Sequence, residues 1–337
     1  MTLPRDTSVK MFLRAFEPLL EDNDVTEIAV NGPQEVWFEK NSGWESTRCD
    51  DVTMDKIKAL GVAVATYSLQ TWSPQYPLLS ASLPDGTRIQ LAMPPAVEEG
   101  IYSFTLRKPA LGIRTLEDYE AQGVFAEIKP SATALSPAEL RLKELLAANK
   151  YKDFLELAVR SRMNIVVSGA TGSGKTTFMK SLVQQIPLRE RLVTIEDARE
   201  LFLPHKNAVH LLYSKGGQNS SKVDAKDLLE ACLRMKPDRI LLAELRGSEC
   251  LYFIRNAASG HPGSITSCHA GTPALAFEQL AIMIQDSPGG ANLTFDVIKR
   301  LLTLTIDIVV QFSKSENGAR AISEIYFHPE KKLAAMS

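Results

Sequence analysis

The sequence predicts an α/β fold in two parts. Residues 1–126 form an N-terminal α+β domain. After a linker over 127–149, residues 150–337 form a domain on a mainly parallel sheet. Three observations predict this. From Tyr151 onward, helical patterns alternate with short apolar, β-branched runs, as in βαβ units. The first run, Asn164-Ile-Val-Val-Ser168, leads directly into a glycine-rich loop and then a helical pattern. Before residue 126, strand-like runs joined by turns accompany only two helical patterns.

In chain order, Val9–Leu20 carries apolar residues at helical spacing, with Pro18 weakening its last turn. Glu27–Val30 and Glu35–Glu39 read as strands joined by the turn Asn31-Gly32-Pro33, and Val52–Tyr67 reads as a helix. Leu78–Leu83, Thr87–Met93 and Tyr102–Arg107 read as three more strands, the first two joined by the tight turn Pro84-Asp85-Gly86. Lys129 to Pro137 lacks periodicity, and Pro130 and Pro137 interrupt local structure, so this stretch reads as a hinge. Ser136-Pro137-Ala-Glu139 then marks a helix start, with serine as N-cap and proline in the first turn, for a helix to about Ala148. Further strands are expected at Ile165–Val167, Leu192–Ile195, Val209–Leu212, Ile240–Ala243, Ser264–Ser267 and Ile306–Phe312. Phosphate is expected at the end of the first of these.

Composition narrows the function classes. The net charge is −2, which gives no bulk attraction to nucleic acid and disfavours a nucleic-acid translocase. Cys49, Cys232, Cys250 and Cys268 are scattered, without the spacing of a zinc ribbon or a disulfide framework, as expected in a reducing compartment. Met1–Lys10 lacks the apolar core of a secretory signal, and no apolar run reaches the ~20 residues of a spanning helix. A cytoplasmic protein is expected, docking at a membrane from that side if it works there.

The loop Gly169-Ala170-Thr171-Gly172-Ser173-Gly174-Lys175-Thr176 fits G-x-x-x-x-G-K-[ST], and Thr177 continues into the helix. Glycines let backbone N–H groups approach phosphate oxygens, and the helix N-terminus adds partial positive charge. Lys175 is placed to reach the β- and γ-phosphates of a nucleoside triphosphate, and the Thr176 hydroxyl to ligate Mg²⁺. Ile240–Leu242 ends in Ala243 and Glu244, and Glu244 is placed to polarise an attacking water. Ala243 stands where many such enzymes place an aspartate, leaving Mg²⁺ to Thr176, phosphates and water. Glu196 and Asp197 end another strand and are expected to point toward the same crevice; acids at a helix start are the simpler alternative. His269 ends a strand rich in hydroxyl residues and suits a neutral phosphate sensor. His205, His210 and His328 read as structural. On charge pattern alone, Arg88 and Arg107 read as a solvated strand face.

Together these residues resemble the secretion-ATPase superfamily, most of all the hexameric traffic ATPases of type IV secretion and conjugation. The likeness runs through Asp24–Gly32, Leu83–Gln90, Ser103–Pro109, the phosphate loop, Glu196-Asp197, Glu244 and the histidine box ending at His269. A small residue before Glu244 is typical of that family. The resemblance implies a RecA-like P-loop ATPase domain, ATP and Mg²⁺ as ligands, and a homohexameric ring that energises secretion or pilus biogenesis. It implies a protein peripheral to the inner membrane, with channel components, other secretion ATPases and a protein or nucleoprotein cargo as partners. It also implies that Arg88 and Arg107 reach the nucleotide, and leaves open whether they do so within one chain or between chains. A type II secretion or pilus motor is the nearest alternative. Relatives in type II secretion and pilus extension carry a longer N-terminal region and a four-cysteine motif, neither of which is expected here. A nucleotide-gated docking scaffold is the alternative from another class.

Overall fold

A computed structural model describes residues 4–109, 112–126, 128, 133–214, 220–314 and 318–336. The N-terminal helical stretch is interrupted. Helix α1 (Thr7–Leu13) passes through a 3₁₀ turn at Arg14–Phe16 into α2 (Glu17–Glu21). This corrects the single helix expected over Val9–Leu20. Pro18 has no N–H to donate and its ring crowds the preceding turn, so the chain restarts with Pro18 in the first turn of α2.

Strands β1 (Glu27–Gly32), β2 (Glu35–Lys40) and β3 (Gly43–Arg48) form a meander, and α3 (Met54–Ser68) follows, N-capped by Thr53. Then come β4 (Leu78–Ser82), β5 (Arg88–Ala92) and β6 (Ser103–Arg107). These six strands make one antiparallel sheet in the order β3-β2-β1-β6-β5-β4. β3 was not legible in sequence because Gly43-Trp-Glu-Ser-Thr-Arg48 is polar and mostly exposed, an edge strand with little to bury. The short α4 (Leu116–Ala121) was also not foreseen; Thr115 and Asp118 close a capping box around it.

Residues 127 and 129–132 of the expected hinge lie outside the described residues. Helix α5 (Pro137–Ala147) starts as the sequence requires, with Ser136 and Glu139 in a reciprocal capping box. It buries Leu142 and Leu145 against α6 (Tyr151–Arg160) and the second sheet.

That sheet is built from β7 (Ile165–Gly169), α7 (Lys175–Val183), β8 (Leu192–Glu196), β9 (Ala208–Leu212), α8 (Ala225–Cys232), β10 (Arg239–Leu242), α9 (Glu249–Ala258) and β11 (Ile265–Cys268). α10 (Pro273–Gln285), α11 (Phe295–Thr305), β12 (Ile308–Lys314), β13 (Arg320–Phe327) and α12 (Pro329–Met336) complete it. The strand order is β13-β12-β7-β11-β10-β8-β9, parallel throughout except for β13. β13 went unforeseen because Ser323 and Glu324 interrupt its apolar residues and most of the strand is exposed. Alternation across the pleat splits the core. Ile165, Val167, Leu241, Ile308 and Val310 face α5, α6 and α7. Val166, Ile240, Leu242 and Val309 face α8, α9, α10 and α11.

The first sheet meets the second through buried polar contacts. Arg191 is fully buried; its guanidinium donates to Met235 O (2.8 Å), Asn31 Oδ1 (3.0 Å) and Thr105 Oγ1 (3.1 Å). The Leu212 N–H donates to Ala96 O at 2.9 Å. Among the described residues, no helix is long and apolar enough to cross a membrane.

Candidate active site

β7 delivers the glycine loop to the C-terminal ends of the parallel strands. Gly169 lies beside Phe312 of β12. A Cβ there would stand 2.8 Å from the Phe312 carbonyl oxygen and 2.8 Å from Ser173 Oγ, with φ at +155°, so the position accepts only glycine. Gly174, with φ +105°, turns the chain into α7, whose first N–H groups have no partners within the helix. Ala170, Thr171 and Gly172 form the exposed crest of the loop, and Thr176 and Thr177 sit half-buried and exposed in the first turn of α7. Among the described residues, Ser173 Oγ is buried without a hydrogen-bond partner. The loop therefore presents unsatisfied donors on a helix N-terminus, the arrangement that holds phosphate.

Lys175 folds back over this loop. Its Nζ donates to the carbonyls of Gly169 (2.8 Å) and Ala170 (3.0 Å) and lies 3.3 Å from His269 Nδ1. An ammonium offers three protons and no lone pair. His269 Nδ1 is therefore the acceptor, and the ring proton sits on Nε2, 2.5 Å from Glu244 Oε1. The other Glu244 oxygen accepts from Arg246 Nε, and Arg246 Nη1 donates to Asp197 Oδ2 at 2.6 Å. A contact path thus runs Lys175–His269–Glu244–Arg246–Asp197. Burial lowers the Lys175 pKa below its ordinary value, opposed by the negative charge of Glu244.

Backbone pairing aims Glu244. The Ala243 N–H donates to Ile195 O (3.0 Å), and its carbonyl accepts from Ser267 Oγ (2.7 Å). Ala243 is pinned between β8 and β11, and the next residue emerges at the strand ends.

Glu196 departs from the expectation that it faces the crevice. It is fully buried, and its carboxylate accepts from Thr194 Oγ1 (2.8 Å), Arg199 Nη1 (3.1 Å) and the N–H groups of Glu200 (2.7 Å) and Leu201 (2.6 Å). Those donors fold the loop after β8 around it and leave Asp197 alone to face Arg246. His210, left as structural in sequence, packs at 2.9 Å on Thr194, and burial pushes its pKa down to about 3.

Arg88 and Arg107 are register partners on β5 and β6. They line a cavity of about 650 Å³ with Glu27, Leu233, Arg234 and Lys236. Leu233, Arg234 and Lys236 precede β10, at the N-terminal ends of the parallel strands, whereas the glycine loop leaves their C-terminal ends. Within one chain, the two arginines and Lys175 thus occupy opposite ends of the second sheet. Arg107 Nε is 3.5 Å from Glu27 Oε1, and burial pushes the Glu27 pKa up to about 7.

The structure brings together Lys175, His269, Glu244 and Asp197. It sets Glu196 aside and holds Arg88 and Arg107 apart. Arg246, which joins Glu244 to Asp197, had no role in the sequence reading. Its signal was a guanidinium two residues beyond an acid at a strand end.

The family model "Type II/IV secretion system protein" matches residues 13–311. The chain is 47% identical over 335 residues to the type IV secretion system protein VirB11 of Brucella suis, spanning 98% of this chain and 93% of that protein. It is 40% identical over 327 residues to the type IV secretion system protein PtlH of Bordetella pertussis, spanning 96% of each. The crystal structure of the VirB11 ATPase from the Brucella suis type IV secretion system, in complex with sulphate, matches with a TM-score of 0.91 at 47% identity. That match covers 97% of this chain and 100% of the other. The chain belongs to the type II/IV secretion system protein family.

Proposed function

We propose that this chain is the ATP-hydrolysing motor of a bacterial type IV secretion or conjugation system, working as a ring of six copies. The observation that carries this reading is the continuous contact from Lys175 through His269 to Glu244, which ties a phosphate cradle to an acid suited to activating water. Residues 150–337 act as a RecA-like ATPase domain and residues 1–126 as the domain supplying arginines, with 127–149 as the hinge between them. The ring works at the cytoplasmic face of the inner membrane, against channel components and other secretion ATPases, on a protein or nucleoprotein cargo.

ATP enters with its β- and γ-phosphates over Gly169–Thr176. An anionic oxygen is a stronger acceptor than a carbonyl or an imidazole nitrogen. Lys175 therefore exchanges its loop carbonyls and His269 for phosphate oxygens. His269 Nδ1 loses its donor as a consequence, so the ring reports the presence of the γ-phosphate to Glu244. Glu244 orients the attacking water and accepts its proton as the bond from the bridging oxygen to the γ-phosphorus breaks. Mg²⁺ suits this site: the Thr176 hydroxyl stands beside Lys175 in the first turn of α7, and a hard cation that keeps most of its waters needs few protein ligands. When bound, it neutralises phosphate charge. Arg88 and Arg107 of one copy serve the nucleotide of the next, and loss of the γ-phosphate loosens that bridge.

Two variants test the reading. Glu244→Gln keeps ATP binding and lowers turnover about 100-fold or more, in line with loss of a positioned general base. Lys175→Ala loses binding. Secretion that persists in cells carrying Glu244→Gln sinks the motor and leaves a nucleotide-gated scaffold.

A further inference from the structure

We propose that Arg320, at the start of β13, is a positioning residue for the nucleoside end of the bound nucleotide. The proposal rests on the ATP-site reading above and adds to it a contact on the far side of the glycine loop.

Arg320 lies over that loop. If Gly174 carried a Cβ, it would meet Arg320 Cδ at 3.3 Å and Nη1 at 4.0 Å. The guanidinium thus stands against the residue that opens α7. It is exposed and makes no ion pair among the described residues. An arginine held beside a helix N-terminus faces like charge from the helix dipole, an arrangement that favours an anion between them.

Sheet order says which part of a nucleotide Arg320 meets. β7 has β11 on one side and β12 on the other. Glu244 and His269 follow β10 and β11, so the terminal phosphate and its water lie on that side. Arg320 comes from β13, beyond β12, on the opposite flank. A nucleotide whose β-phosphate sits over the loop and whose γ-phosphate points to Glu244 directs its α-phosphate, ribose and base toward β12 and β13. A bulge assists. Gln311 pairs with Glu324 but Phe312 with Ile322, so Ser323 is an extra residue in β13. Such an insertion shifts the alternation of side chains along the strand and increases its twist. The bulge lies at Phe312, the residue beside Gly169. The same local irregularity therefore sits next to the loop and sets the face that Arg320 presents. A guanidinium there is able to donate to ribose oxygens and to lie flat on a base, contacts that inorganic tripolyphosphate cannot make.

The test is titration calorimetry on the full-length protein with ATP, ADP and inorganic tripolyphosphate, for wild type, Arg320→Ala and Arg320→Lys, with Lys175→Ala as the control for loop binding. The side chain is exposed, so its replacement leaves the core intact, and circular dichroism checks each variant. We expect Arg320→Ala to weaken ATP and ADP alike by about 10-fold, corresponding to one charge-assisted contact, with tripolyphosphate unchanged and Arg320→Lys intermediate. Loss of ATP affinity well beyond that of ADP, or an equal loss for tripolyphosphate, overturns the assignment to the nucleoside end. Unchanged affinity for all three removes Arg320 from the site. If wild type itself fails to bind ATP, the nucleotide reading falls and this proposal falls with it.

Discussion

The two ends of the second sheet differ in what one chain completes by itself. At the C-terminal ends, Lys175, His269, Glu244, Arg246 and Asp197 touch in sequence, and every one follows a strand of the same sheet. At the N-terminal ends, among the described residues, Arg88, Arg107, Arg234 and Lys236 line a cavity with a single acid, Glu27. Parallel strands place all their following loops at one edge, so a phosphate loop and its water-activating acid assemble within a chain. The cationic cavity has guanidinium groups but no glycine loop beside it. The proposed head-to-tail ring would supply the missing half, because each copy would then offer its cationic end to the loop of the next.

The largest effect tests that division directly. Arg88→Ala or Arg107→Ala should lower ATP turnover about 10²–10³-fold, the range seen when one donor to a developing charge is removed. Mixing decides between chains. An Arg107→Ala copy keeps an intact loop, and a Lys175→Ala copy keeps intact arginines. In a head-to-tail ring assembled at equal ratio, about a quarter of the junctions combine both intact halves. Turnover should therefore return on mixing two inactive proteins. No recovery, in rings that mass photometry shows to be mixed, means that the arginines serve their own chain.

The contrast also explains what could be read from the residues alone. Lys175, Thr176 and Glu244 were legible because a strand, a loop and a charged residue lie within a few positions of one another. His269 was legible as a site residue, but its tautomer was not, since that depends on Lys175 some ninety positions earlier. Glu196 and Asp197 looked equivalent as neighbours at a strand end. Only the folded loop shows that Thr194, Arg199 and two N–H groups claim Glu196. Edge strand β3 escaped because a strand solvated on one side carries little apolar signal, and β13 because Ser323 and Glu324 interrupt its apolar residues. Arg191 and Arg239 escaped for the opposite reason. They are buried and bonded to distant partners, Asn31 and Thr105 for one and Glu190 for the other, so composition gave no sign of their place.

Arg246 sharpens the first half of the comparison. It links Glu244 to Asp197 and so holds the rotamer of the acid proposed to meet water. Arg246→Ala should lower kcat about 10-fold, since a modest misplacement of a catalytic group is costly, while leaving KM for ATP close to wild type. Arg246→Lys should recover part of the loss, because it restores the charge without the two-pronged geometry. A rise in kcat for Arg246→Ala would reverse the role, making Arg246 a restraint on Glu244.

The smallest effect lies in the cationic cavity and concerns stability. Glu27 is 3% exposed, and burial raises its pKa from 4.5 to about 7, against the pull of Arg107. The folded chain therefore holds this proton more tightly than the unfolded chain. Below about pH 4.5 both states are protonated and the full contribution is present. As pH rises toward 7 the unfolded state ionises first, and stability falls; above the folded pKa it levels off at its lowest. A Glu27→Gln variant keeps the shape and never ionises. It should match wild type near pH 4.5 and unfold a few degrees higher at pH 8, about the shift that 1–2 kcal/mol gives in a chain of this size, with the gap opening between those limits. Scanning calorimetry at pH 4.5, 6 and 8 measures it. A variant less stable than wild type at pH 8 would mean that the surrounding cations stabilise the ionised carboxylate more than burial disfavours it. The cavity would then be an ion-pair network complete within one chain, and the case for a neighbouring copy's phosphate as its counter-charge would weaken.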